Sequence, residues 1–148
     1  MIIKNIPIRE ENHFFLKFLI KKRKKNTLIS YPIYKIVHLL GVLMIFLSLG
    51  GITVNAINGG GKDSRKRVSI THGIGLLLAL IGGFGLLARI GVSHGSIPGW
   101  AIGKLGIWFI FAIMIGVLIR KPNLARPFWG LTIFLGGIAV YLAGYKPF

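Results

Sequence analysis

Residues 33–56 read IYKIVHLLGVLMIFLSLGGITVNA, and this run decides the fold. It is apolar along almost its whole length and carries no acidic residue. At about 1.5 Å of rise per residue, such a helix crosses a hydrocarbon core of about 30 Å with some tilt. Polar and apolar residues do not alternate, which excludes a membrane β-barrel strand. At the mouth of the run stand Lys35 and His38, one helical turn apart. Polar groups at the entrance to lipid are costly and call for an explanation.

Working outward, three further apolar runs follow, at 69–91, 100–119 and 127–145. Residues 55–67 (NAINGGGKDSRKR) combine three glycines with a basic cluster and are expected to be a non-helical connection. Residues 92–99 (VSHGSIPG) and 120–126 (RKPNLAR) make two further short links, with Pro122 ending one helix and Pro127 opening the next. Short links between long helices imply neighbours that run in opposite directions. The expected fold is therefore an all-α membrane protein. It is an antiparallel four-transmembrane-helix bundle over residues 31–148, preceded by a basic N-terminal extension, residues 1–30. Gly75, Ala79 and Gly83 recur every four residues and form a stripe where a neighbouring helix can approach closely.

Composition agrees with lipid as the solvent. Of 148 residues, 53% are hydrophobic and only Glu10, Glu11 and Asp63 are acidic, giving a net charge of +16. The basic residues gather at the ends of the apolar runs, so the expected partners are the bilayer and its anionic headgroups, not nucleic acid. The absence of cysteine excludes disulfides, thiolate metal sites and a cysteine nucleophile. The extension holds an apolar patch, residues 13–20 (HFFLKFLI), and a polybasic run, residues 21–25 (KKRKK). It reads as an interfacial helix, as an unstructured tail, or as residues upstream of the true start. A secretory signal would place its charges before the apolar patch. Lys62, Arg65, Lys66, Arg67, Arg120, Lys121 and Arg126 fall on one side of the four runs. The positive-inside rule puts that side in the cytoplasm of a bacterial inner membrane and both termini outside, whereas the KKRKK run votes the other way.

Opposed helices let the sequence match depths. Lys35, His38, Arg89 and Lys104 fall near one end of the bundle, together with His94, Tyr141 and Tyr145. They are the candidate ligand-binding residues. His72 falls near the other end, close to Thr53, Asn55 and Thr132. The two histidines lie roughly 18 Å apart along the axis at 1.5 Å per residue, too far to share one iron. The plainer account of the three cations is that long side chains at helix ends reach back to the headgroups. His38 is too short to reach as far. With no carboxylate in the core and no histidine expected at the level of Ser48, no catalytic constellation remains and enzyme activity is not expected.

Lys35-Ile-Val-His38 and Pro98-Gly-Trp100-Ala-Ile-Gly-Lys104 resemble the opening span and a later helix of small bacterial membrane families. These are the SirB-type proteins, the HemJ-type protoporphyrinogen oxidases and the CopD-type copper-resistance proteins. The resemblance rests on Lys35, His38, Trp100 and Lys104. In the HemJ type it implies a four-helix haem-binding protein, with haem b as cofactor, the histidine as candidate iron ligand and the lysine in the site. Residues 41–51 (GVLMIFLSLGG) lack the Trp, Tyr-Leu-Pro-Arg and Tyr-His residues of that type, so the oxidase activity is not implied. The expected function is an accessory membrane protein of haem or respiratory metabolism that holds an anionic or haem-like ligand near His38 and Lys104. Two alternatives stand beside it. One is a ligand-free subunit packing through glycine and alanine faces, as a homo-oligomer or in a larger membrane complex; the other is a small-solute transporter.

Overall fold

The computed structural model describes residue 17 and residues 30–90 and 97–146. The chain divides into Met1–Ser30 and Tyr31–Phe148. In the first unit only Lys17, helical and exposed, and Ser30 are described, so the readings of the N-terminal patch and of the KKRKK run lie outside the described residues. The second unit holds four long helices: α1 (Tyr31–Ile57), α2 (Lys62–Arg89), α3 (Gly99–Arg120) and α4 (Ala125–Tyr145). All four are long and apolar enough to cross a membrane. No strand occurs among the described residues.

The first connection is shorter than expected. α1 continues to Ile57 and α2 begins at Lys62, so the cluster Lys62–Arg67 is helical, not part of a loop. One glycine makes the reversal: Gly59 has φ +65, a left-handed conformation that other residues adopt only at a cost. Arg65 then folds back over the turn. Its Nε donates to Asn55 Oδ1 at 3.1 Å and its Nη2 to the Gly60 carbonyl at 3.0 Å. Asp63 sits in the first turn of α2, and Arg89 and Arg120 close the last turns of α2 and α3, each on the favourable end of the helix dipole. Between α3 and α4 the chain makes a single 3-10 turn, Pro122–Leu124. Pro127 follows within the first turn of α4, where its missing N–H would have had no partner in the helix.

α1 and α2 form the tightest pair, and their packing follows a heptad-like rule. Along α1 the contact residues are Tyr34, His38, Gly41, Ile45, Ser48 and Gly51, and each meets a residue of α2 in reverse order: Gly85, Gly82, Ala79, Gly75, His72 and Val68. The steps are a mixture of threes and fours, close to those of a coiled-coil seam. Nearly every pairing sets a small residue against a larger one. A Cβ on Gly82 would stand 2.5 Å from the His38 backbone nitrogen, one on Gly75 would stand 2.9 Å from Met44 Cβ, and one on Gly41 would overlap the Ala79 nitrogen. The backbones touch. The buried stripe of α2 is thus His72, Gly75, Ala79 and Gly82, so Gly82 takes the place the sequence pattern assigned to Gly83.

α3 and α4 close the core. Ile45, Leu49, Ala79, Ile107, Phe111, Met114, Leu135 and Leu142 form one buried cluster with members from all four helices. The Phe46 and Phe111 rings meet edge to face at 5.5 Å, with the Phe46 ring seated where Gly136 lacks a Cβ. A second cluster, Ile52, Leu118 and Ala125, closes the end near the first connection. α1 and α3 pack through the middle, while α2 and α4 share no close backbone approach. The outer faces are apolar: Leu47 is 72% exposed, Val140 73% and Phe134 66%. Water would oppose so much contiguous apolar surface, whereas lipid would not.

Candidate functional site

Where α1 and α3 begin and α2 and α4 end, the helices leave a groove of about 450 Å³. Its walls are apolar, built from Leu39, Val42, Phe46, Leu80, Leu87, Leu105 and Phe111 among others. Lys35, His38, Lys104 and Lys146 line it as well, together with Trp100 and Trp108. Three of the four candidate ligand-binding residues therefore share one cavity: Lys35, His38 and Lys104. Arg89, on the last turn of α2 and exposed, is not among its lining residues. Tyr141 and Tyr145 are not either. They stack on each other at 4.9 Å on the exposed face of α4, at 53% and 75% exposure. His94 lies outside the described residues.

His38 is held in one orientation. Its Nδ1 lies 2.7 Å from the Ala79 carbonyl oxygen of α2. A carbonyl can only accept, so Nδ1 is the donor, and in the neutral tautomer that this bond selects the lone pair lies on Nε2. No hydrogen bond engages Nε2 among the described residues. A Cβ on Gly83 would meet the imidazole at 3.4 Å, an ordinary van der Waals contact.

The cations cluster around one indole. Lys104 Nζ lies 4.7 Å from the Trp100 ring centroid and Lys146 Nζ 5.7 Å from it, both within cation–π range. Lys146 follows α4 in a left-handed conformation (φ 45) that ends the helix. The sequence did not single out Lys146, and the ring it shares with Lys104 had no local signal. Trp108 serves another purpose: its Nε1–H donates to the Leu76 carbonyl at 3.1 Å, tying α3 to α2. The only acidic side chain among the described residues is Asp63, in the first turn of α2 and far from this end.

His72 occupies a different environment from the one expected. It is 1% exposed, and its hydrogen bonds go to neither Asn55 nor Thr132. Its Nε2 lies 3.1 Å from the Phe111 carbonyl of α3 and its Nδ1 3.2 Å from Ser48 Oγ of α1. Ser48 does have a histidine at its level, contrary to expectation. The carbonyl fixes Nε2–H as donor and leaves Nδ1 as acceptor. The single Ser48 proton then has three acceptors in reach: His72 Nδ1, the Ile45 carbonyl at 3.1 Å and the Met44 carbonyl. This is a polar clasp across three helices. Ser48 is 2% exposed, so it offers no reacting substrate a path. His38 and His72 stand ten residues apart on the paired seam, about 15 Å along the axis, which excludes a shared iron.

The groove fits a haem-like group by the chemistry of its donors. Its volume falls within the range of small-molecule sites, its walls are apolar, and its cations match carboxylates. A histidine whose other nitrogen is fixed by a backbone carbonyl is the usual arrangement of an iron-ligating imidazole. Among the described residues no group of three metal-ligating side chains exists, so a bare metal ion has no cage here. No family model, no curated protein and no solved structure matches this chain.

Proposed function

We propose that the chain is a four-span integral protein of the bacterial inner membrane. Its helices form an antiparallel bundle, and it serves haem or respiratory metabolism by holding an anionic, haem-like ligand. The observation that carries this reading is the groove itself. It is apolar inside and bordered by Lys35, Lys104 and Lys146, and His38 holds Nε2 available because Ala79 takes Nδ1–H. In this reading His38 would ligate the iron and the lysines would pair with the carboxylates, while the apolar walls exclude water. Haem, when bound, supplies a redox-active or ligand-binding iron; the chain supplies position and charge. A catalytic role is not part of the proposal, because no acid–base pair reaches the groove among the described residues.

An optical spectrum of the protein purified from haem-replete cells tests this. A Soret band that disappears in His38→Ala and persists in His72→Ala is the expected result. No Soret band in the wild-type protein would remove the haem assignment.

A second reading, a ligand-free assembly subunit, draws support from α4. Gly130, Gly137 and Gly144 repeat every seven residues on its exposed face, and a Cβ on any of them would meet nothing within 4 Å. Such a stripe suits a close helix neighbour, from a second copy or from a larger complex. Gly137→Leu would then abolish co-purification or self-association while leaving the bundle folded.

A further inference from the structure

The groove has a direction. Its charged end lies at Trp100, where Lys104 and Lys146 converge on the indole, and its floor reaches Phe111. Eleven residues of α3 separate the two aromatic rings, about 16 Å of helix. That is about half of a 30 Å hydrocarbon core, the depth of one leaflet. The flank is apolar and open: Leu39 and Phe84 line the groove while remaining 50% and 47% exposed. A water-soluble anion would fill the charged end and leave the remaining length empty. A compact apolar solute would leave the two ammonium groups on one ring without a counter-charge among the described residues, where the only acidic side chain is Asp63, at the other end of α2.

We propose that the groove seats one anionic membrane lipid, with its phosphate headgroup on Lys104 and Lys146 above Trp100 and an acyl chain lying along α3 toward Phe111. The inference rests on the bilayer-spanning reading given above; a lipid and a haem-like group would compete for this one groove and for the same lysines, so the lipid is its occupant wherever no haem-like ligand is bound. The lipid enters from the leaflet that faces this end of the bundle. Lys35 adds a third positive charge on α1. The Trp100 ring sets the height of the headgroup, as interfacial tryptophans do.

Native mass spectrometry of the full chain tests it, using protein released from bilayers of equal phosphatidylglycerol and phosphatidylcholine with identical acyl chains. The expected result is one retained phosphatidylglycerol per chain, preferred about tenfold over phosphatidylcholine. The preference should vanish in Lys104→Gln/Lys146→Gln and survive in Lys62→Gln/Lys66→Gln at the opposite end. Ala143→Phe, which narrows the groove without touching a charge, should release the lipid as well. Retention unchanged by Ala143→Phe would reduce the effect to ordinary headgroup attraction and overturn the proposal, as would equal retention of the two lipids. The two readings of the groove separate cleanly. Phosphatidylglycerol retained without a Soret band removes haem and keeps the lipid; a His38-dependent Soret band without lipid preference does the reverse.

Discussion

At the scale of single residues, the two core histidines divide structure from binding. His72 has both nitrogens engaged inside the bundle, whereas His38 has one engaged and one available at the groove. Replacing His72 by Ala removes hydrogen bonds to two helices. Interhelical bonds of this kind contribute roughly 1 kcal/mol each in membranes. The variant should therefore lose about 1–2 kcal/mol of stability, read by reversible unfolding in mixed micelles, and keep its ligand spectrum. His38→Ala should show the opposite pattern, with little change in unfolding and loss of the ligand. Both histidines were visible in the sequence as polar intrusions into apolar runs. Their backbone partners were not, because Ala79 and Phe111 contribute carbonyls that any residue would carry.

At the scale of elements, the α1–α2 seam works through missing atoms. Gly41→Ala and Gly82→Ala would each push backbone against backbone, and overpacking of a tight core costs about 1–3 kcal/mol. Gly116→Ala meets nothing within 4 Å and should be neutral or stabilise by up to about 1 kcal/mol, since alanine favours helix over glycine. Thermal unfolding of the three variants side by side checks the contrast. Equal losses in all three would mean that helix propensity, not close approach, governs these glycines. The sequence showed that α2 carries a small-residue face, yet it named Gly83 where the seam uses Gly82. The cause is the period: strict steps of four drift off a seam that advances by a mixture of threes and fours. The first connection was misjudged for a related reason. Three glycines in a row read as a long loop, but a single left-handed glycine is enough for the reversal, and lysine and arginine are good helix formers.

At the scale of the whole molecule, charge sets orientation. The basic residues of the first and third connections lie together at one end, and both should face the cytoplasm. The chain has no cysteine, so single cysteines report topology without a background. Asn58→Cys and Asn123→Cys should be labelled by a membrane-impermeant maleimide only after the inner membrane is opened, and Ile97→Cys in intact spheroplasts. The reverse pattern would mean that the KKRKK run of the extension, not the core, determines insertion. Labelling of all three positions from both sides would remove the four-span reading, and the proposed lipid and haem sites with it.

The sequence by itself determined the number of long helices, their apolar character, the charges at their ends and the absence of thiol or carboxylate chemistry in the core. These follow from composition along the chain, which needs no partner to be read. Only the tertiary structure decided which faces meet. In a soluble helix the polar face announces the buried one by contrast; here the outward and inward faces are both apolar, so the periodicity that would identify the seam is nearly silent. The pairing of Ser48 with His72, the backbone contact at Gly41 and Gly82, and the gathering of Lys104 and Lys146 on Trp100 are properties of helices brought side by side. Depth along each helix was legible from residue number at the groove end, though not for His72, which lies level with Ser48. Rotation about each axis was not, because that angle is fixed by how small residues fit against large ones across the interface.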